Sequence, residues 1–152
     1  KPVLMEEFGG CTALPGEATY IMKWIETNGR EHEQFMASED DFAKFLSLTI
    51  PKIQHSGATG AMLWCFADYV PELWDLPPCQ NARHERFFGM VRPDGSLKPH
   101  AKVIQEFAKT KPQVKPIPDY AMIGVDPDEF YKEPINLLVD LYQKYLKGVE
   151  GI

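Results

Sequence analysis

The stretch that decides the fold is KPVLMEEFGG, residues 1–10. A short apolar run ends there in two acids, a phenylalanine and two glycines, which is typical of a buried strand that stops at a turn. The stretch AMLWCF, residues 61–66, indicates a second buried strand. Because strands that are apolar on both faces occur in parallel sheets covered by helices, the sequence predicts an α/β fold.

A helix is predicted between the two strands. Ser38 has the character of an N-cap, and three acids follow it directly. Pro51 is expected to bend or shorten the last turns of this helix. Apolar residues at helical spacing form its buried face, namely Phe42, Phe45, Leu46, Ile50 and Ile53.

A long loop is predicted after each strand. The first covers residues 11–37, in which residues 20–25 suit either a short helix or a strand and Asn28-Gly29 indicates a turn. The second covers residues 67–86. With only two convincing strands, the sheet is too small to be stable alone, so either further strands exist or the chain is part of something larger.

The C-terminal part of the sequence predicts two more helices. One starts at Pro99 and the other at Pro134, because proline suits the first position of a helix. Residues 111–120 contain three prolines and are expected to run extended. The last helix has one apolar face, formed by Leu138, Leu141, Tyr142 and Tyr145. We therefore divide the chain into residues 1–110 and residues 111–152, the latter an extended linker with a C-terminal helix packed on the former.

The composition is that of one globular domain and excludes several classes of protein. The chain has 152 residues, 44% of them hydrophobic, with a net charge of −6. This hydrophobic share excludes intrinsic disorder, and no apolar run approaches the roughly 18 residues of a membrane span. A nucleic-acid partner is not expected, because binding phosphate requires a basic surface.

The cysteines and histidines predict no metal or other cofactor. Cys11, Cys65 and Cys79 are too widely spaced for a zinc motif and odd in number for a disulfide framework, so we expect three free thiols, with one disulfide and one free thiol as the alternative. The four histidines show no ligand spacing. Free thiols favour the cytoplasm, and secretion is the alternative if a signal segment precedes this sequence.

Two residues give the strongest signals for a functional site. Glu7 ends the first strand, and the carboxyl ends of parallel strands are where α/β proteins place their active sites. Trp64 lies near the carboxyl end of the second strand, where its ring would offer a platform to the C–H face of a sugar. The simpler alternatives are a solvated acid for Glu7 and a core residue for Trp64.

Three segments of the chain resemble clan A glycoside hydrolases, especially family 5, which includes cellulases, mannanases and β-mannosidases. Residues 1–9, KPVLMEEFG, resemble the seventh strand of those enzymes. Residues 57–69, GATGAMLWCFADY, resemble the eighth strand, and residues 85–99, ERFFGMVRPDGSLKP, resemble the segment that leads into the eighth helix. They occur in the family's order and cover the chain to about Ala108.

The resemblance implies a fold and two roles. The chain corresponds to the C-terminal portion of a (β/α)8 TIM barrel, with residues 1–110 as the barrel segment and residues 111–152 packed on it. Glu7, which directly precedes Phe-Gly, matches the catalytic nucleophile. Trp64 matches the tryptophan that floors the sugar subsite beside the scissile bond. The implied activity is retaining hydrolysis of a β-1,4-mannoside or β-glucoside.

The sequence also departs from that family. The family's acid/base glutamate usually follows an asparagine, and none of the three asparagines, Asn28, Asn81 and Asn136, precedes a glutamate. A complete barrel of this type takes about 250 residues. We therefore expect a fragment that lacks the acid/base, is inactive by itself, and has the N-terminal barrel half as its partner on the same or a separate chain.

Three further residues are candidates for binding the sugar. Glu85 either hydrogen-bonds a sugar hydroxyl or pairs with Arg86 at the surface. Trp24 and Trp74 lie in the two long loops, where they serve either as outer sugar platforms or as residues that pin the loops. Two other functions stay open: a non-catalytic carbohydrate-binding or scaffold fragment, and a small α/β interaction domain.

Overall fold

The computed structural model describes residues 2–150 and the side chains of residues 2–149. Lys1, which opens the segment that resembles a seventh strand, and residues 151–152 lie outside this range. Over the described residues the structure has four strands and four α-helices. They are β1 (Leu4–Phe8), β2 (Tyr20–Ile25), β3 (Glu31–Met36), α1 (Glu39–His55), β4 (Gly60–Leu63), α2 (Pro99–Lys109), α3 (Pro127–Lys132) and α4 (Pro134–Glu150).

Strands β1 and β4 pair in parallel, with α1 between them in the sequence. Leu4 lies opposite Gly60, Met5 opposite Ala61 and Phe8 opposite Leu63, with one irregularity between Met5 and Phe8. The parallel pairing of these two segments was predicted from their apolar composition. Residues 2–150 contain no closed barrel.

The prediction that both strands are buried is wrong for this chain. Phe8 and Leu63 pack against the helices, in a cluster with Phe42 and Leu46 of α1. Val3, by contrast, is 52% exposed, and Leu4, Met5 and Met62 are similarly accessible. Within the described residues this sheet has only two strands.

The stretch 11–37 contains an antiparallel hairpin formed by β2 and β3. The strand alternative for residues 20–25 is therefore correct, and Asn28-Gly29 forms the turn, where Gly29 has a φ of 85°. Strand β3 was not predicted, because its sequence EHEQFM is mostly polar. The hairpin packs through Met36 on a small cluster that also contains Cys11, Ala13 and Phe87.

Helix α1 begins where the sequence predicts. The Ser38 hydroxyl accepts a hydrogen bond from the backbone N–H of Asp41 at 3.1 Å. Phe42, Leu46 and Ile50 are buried, whereas Phe45 is exposed. The helix continues through Pro51 to His55, so the proline does not shorten it.

The C-terminal helices also begin as predicted, at Pro99 and Pro134. The short helix α3 was not predicted. Helix α4 packs closely on Tyr120, since a Cβ added to Gly148 would lie 2.3 Å from the Tyr120 side chain. Two of the four residues assigned to the apolar face of α4, Leu138 and Tyr142, are more than half exposed. None of the described helices is long and apolar enough to cross a membrane.

Candidate active site

Glu7 and Trp64 lie at the carboxyl ends of neighbouring parallel strands. The backbone N–H of Trp64 donates to the carbonyl of Phe8 at 2.9 Å, which continues the pairing of β1 with β4 by one residue. Gly9 lies against the same segment, because a Cβ added there would be 2.8 Å from the carbonyl oxygen of Trp64. The tertiary structure thus brings together the two segments that the sequence separates by more than fifty residues.

Glu7 and Trp64 directly flank the residues through which the two strands pack on the helices. Phe8 and Leu63 pack against α1 and α2. Glu7 precedes Phe8 within the irregular part of β1, and Trp64 follows Leu63 just beyond β4. Glu7 is exposed, and Trp64 is 46% exposed.

The segment that follows Trp64 is held by the backbone of residues 88–91. Cys65 donates to the carbonyl of Phe88 at 2.9 Å, and Met90 donates to the carbonyl of Phe66 at the same distance. Asp68 donates to the carbonyl of Val91, also at 2.9 Å. The peptide bond between Trp64 and Cys65 is cis. Several backbone hydrogen bonds therefore tie the segment after Trp64 to residues 88–91.

The buried ammonium group of Lys98 contacts this loop through Asp68. Lys98 is 2% exposed, and its Nζ lies 2.8 Å and 2.7 Å from the two carboxylate oxygens of Asp68. The same Nζ donates to Thr12 Oγ1 at 2.8 Å and to the carbonyl of Phe87 at 3.3 Å. Burial lowers the pKa of Lys98 and raises the pKa of Asp68, and the attraction between the two groups opposes both shifts.

Sequence reasoning did not find this cluster. Lys98 and Asp68 are thirty positions apart, and Thr12 is eighty-six positions from Lys98. No local pattern marks any of them.

A second ion pair joins helix α1 to the same region. Arg92 contacts both carboxylate oxygens of Glu39, and its Nε donates to Glu39 Oε1 at 2.9 Å. Arg92 also donates to Ser96 Oγ and to the carbonyl of Leu97. This pair fixes the turn before α2 against the first turn of α1, and its hydrogen bonds involve neither the segment after Glu7 nor the segment after Trp64.

Glu85 lies on a short 3-10 helix, Arg83–Phe87, beside the loop that follows Trp64. Its carboxylate is 3.7 Å from His84 Nε2 and is 30% exposed. One alternative predicted that Glu85 pairs with Arg86, and the structure shows no such pair. Arg86 instead donates to the carbonyls of Cys79 and Trp74 and lies 5.0 Å above the Trp74 ring. Among the described residues, Glu85 forms no ion pair with a lysine or an arginine.

The two loop tryptophans differ from Trp64 in their environment. Trp74 donates from Nε1 to the carbonyl of Tyr69 at 3.0 Å and packs edge-on against Phe87. Trp24 is only 6% exposed and packs against His32 and His84, with ring centroids 5.2 Å and 5.5 Å away. Because these contacts cover its ring, we do not retain Trp24 as a sugar platform; it ties the hairpin to the loop after β4.

The three cysteines are free thiols, and burial raises the pKa of Cys11 to about 11. No group of three histidine, cysteine or acidic side chains in the described part of the chain is arranged to hold a metal ion.

No family model, curated protein or solved structure gives a significant match to this chain. Any assignment of function therefore rests on the residues and the geometry described above.

Proposed function

We propose that this chain is the C-terminal, nucleophile-bearing portion of a retaining β-glycoside hydrolase of the family 5 type. Its substrate is a β-1,4-linked mannoside or a β-glucoside. The observation that carries the proposal is the placement of Glu7 and Trp64, both solvent-exposed, at the carboxyl ends of adjacent parallel strands. In this proposal β1 and β4 are the last two strands of a (β/α)8 barrel, and α1 and α2 are the helices that follow them.

The proposed reaction has two steps. The Glu7 carboxylate attacks the anomeric carbon while the glycosidic C–O bond breaks, and a second carboxyl group gives its proton to the leaving oxygen. That second group then takes a proton from the water that attacks the glycosyl-enzyme ester and releases Glu7. Retaining enzymes hold the two carboxyl groups about 5–5.5 Å apart. Trp64 would support the apolar face of the sugar at this point.

The second carboxyl group is expected from the N-terminal barrel half. Two parallel strands do not form a stable sheet alone. The exposed apolar side chains of β1 and β4 would be buried if further strands completed the sheet. The N-terminal half, on the same or a separate chain, would pair with the edges of this sheet. The chain without it is expected to be catalytically silent.

A fluorosugar experiment tests the role of Glu7. The complete protein is incubated with a 2-deoxy-2-fluoro-β-mannoside or β-glucoside that carries a dinitrophenolate leaving group. The protein is then digested, and the masses of the peptides are measured by mass spectrometry. The fluorine slows hydrolysis of the ester, so the peptide that contains Glu7 should gain the mass of one fluorosugar. Glu7→Gln should take no label and should lose turnover by at least about 10³-fold while still binding sugar, because the covalent route is gone.

Glu6→Gln is the matched control, since it removes the neighbouring exposed acid and leaves Glu7 in place. It should retain both labelling and turnover. Labelling of another residue, or near-normal hydrolysis by Glu7→Gln, would show that Glu7 is not the nucleophile.

A second candidate function is non-catalytic carbohydrate binding. The half-exposed ring of Trp64 favours it, because such a ring binds sugars without any chemistry. In that case the complete protein would bind β-linked oligosaccharides, Trp64→Ala would abolish binding, and neither turnover nor labelling would be observed.

A further inference from the structure

We propose that Lys98 is a positioning residue: its buried ammonium holds the segment after Glu7 and the segment after Trp64 in one fixed relative position. This inference rests on the proposed function of Glu7 and Trp64. The residue touches neither a substrate nor a reacting atom and acts only through the backbone that carries them.

Lys98 contacts both segments directly. Thr12, on the chain that leaves β1 after Glu7, accepts a hydrogen bond from Lys98 Nζ at 2.8 Å. Asp68, on the chain that leaves β4 after Trp64, lies at 2.7–2.8 Å from the same nitrogen. The third acceptor is the carbonyl of Phe87, at 3.3 Å. An ammonium has three protons to donate, and each has an acceptor here.

The acceptors are themselves tied together. The backbone N–H of Thr12 donates to the carbonyl of Phe87 at 3.0 Å, and Asp68 Oδ1 accepts from the backbone N–H of Gly89 at 2.7 Å. Three loop segments therefore converge on one nitrogen atom. A shift of either loop would break a charge-assisted hydrogen bond between two side chains that are only 2% and 6% exposed.

A buried ion pair is by itself weak evidence for a role in stability. Removing two charges from water is costly, and well-packed apolar side chains often replace a buried ion pair without loss of stability. Directed hydrogen bonds also fix the orientation of the groups that they join. Catalysis requires such orientation, since a displacement of about 1 Å costs on the order of 10²-fold in rate.

The test compares variants of the complete protein labelled with 5-fluorotryptophan. Lys98→Met leaves the Asp68 carboxylate buried without its partner, so this variant loses stability for that reason alone. The double variant Lys98→Met/Asp68→Asn removes both charges and keeps an acceptor for Gly89. Arg92→Met is the matched control, because it breaks a largely buried ion pair that bonds to neither segment.

The expected results separate positioning from mere stabilisation. In the double variant kcat should fall by on the order of 10²-fold, and the fluorine resonance of Trp64, assigned with Trp64→Phe, should shift or broaden while that of Trp24 stays in place. In Arg92→Met the melting temperature should fall, with kcat and the Trp64 resonance unchanged. A folded double variant with wild-type kcat and an unchanged Trp64 resonance would overturn the proposal.

The resonance also separates failure of this inference from failure of the proposed function. If the wild-type protein hydrolyses no β-glycoside, the proposed function fails, and the Trp64 resonance still reports whether Lys98 positions its segment. If neither Lys98 variant folds, Thr12→Val removes one acceptor only. It should lower kcat or displace the Trp64 resonance, and a folded Thr12→Val protein with both unchanged would refute the inference.

Discussion

Gly89 lies where the segment after Trp64 meets the segment before α2. A Cβ added to Gly89 would be 2.0 Å from the backbone nitrogen of Asp68 and 2.2 Å from the carbonyl carbon of Ala67. The backbone of residues 65–68 and the backbone of residues 88–91 reach hydrogen-bonding distance only because residue 89 has no side chain. The same close contact lets Gly89 donate to the Asp68 carboxylate.

Gly89→Ala should therefore be strongly destabilising. The methyl group would overlap backbone atoms, which cannot move away as a flexible side chain could, so we expect a loss of about 3 kcal/mol or more in the free energy of unfolding. Urea denaturation of the complete protein measures it. Gly124→Ala is the control, because nothing lies within 4 Å of a Cβ at that position, and it should change stability by less than about 0.5 kcal/mol. Equal effects at the two positions would contradict this account.

At the scale of single residues, sequence reasoning succeeded where a residue ends a recognisable element. Glu7 and Trp64 could be assigned to the ends of two strands because the apolar runs before them are visible in the sequence. Lys98 and Gly89 could not, since their importance depends on partners that the chain places beside them only after folding. Trp24 was a candidate sugar platform because it is an aromatic residue in a long loop. Its burial against two histidines could not be predicted from the sequence.

At the scale of elements, α1 is the part of the chain most completely predicted. Its N-cap, its acidic first turn and its buried residues Phe42, Leu46 and Ile50 follow from local spacing. Helices carry such signals because capping and the 3.6-residue period involve near neighbours. Strand β3 was missed for the opposite reason, since a polar strand on a hairpin has no period that distinguishes it from a loop.

The two sides of α1 should respond differently to truncation. Leu46 is fully buried between the sheet and α2, so Leu46→Ala should lower the free energy of unfolding by about 2–5 kcal/mol through lost burial and the cavity that remains. Leu48, two positions later, is 59% exposed, and Leu48→Ala should cost less than about 1 kcal/mol. Chemical denaturation checks both values. A large effect at Leu48 would mean that another element covers this side of α1 in the complete protein.

At the scale of the whole molecule, His100 links packing to pH. It is fully buried, lies edge-on to Phe42 at 4.8 Å, and neither ring nitrogen has a hydrogen-bond partner among the described residues. Burial, and secondly the positive charge of Lys98, lowers the pKa of His100 from 6.5 to about 4. The neutral ring is thus the form that the fold accommodates.

Stability should consequently fall in mild acid. Below pH 6.5 the unfolded chain binds a proton at His100, whereas the folded protein does not until about pH 4. As the pH drops through this window, the free energy of unfolding should therefore decrease by roughly 3 kcal/mol because of His100. Urea denaturation at several pH values, compared with the same series for His100→Leu, isolates the contribution. An unchanged slope in His100→Leu would refute the assignment.

The order of β1, α1, β4, α2 and α4, the cap of α1, and the positions of Glu7 and Trp64 at strand ends were readable from local sequence. Each depends on residues within a few positions of one another, where backbone geometry and side-chain period act directly. The exposure of the sheet, the burial of Trp24 and the convergence of Thr12, Asp68 and Phe87 on Lys98 were decided by tertiary structure alone. These features join groups up to eighty-six positions apart, and a hydrogen bond or a steric contact depends on distance in space, whatever the separation along the chain.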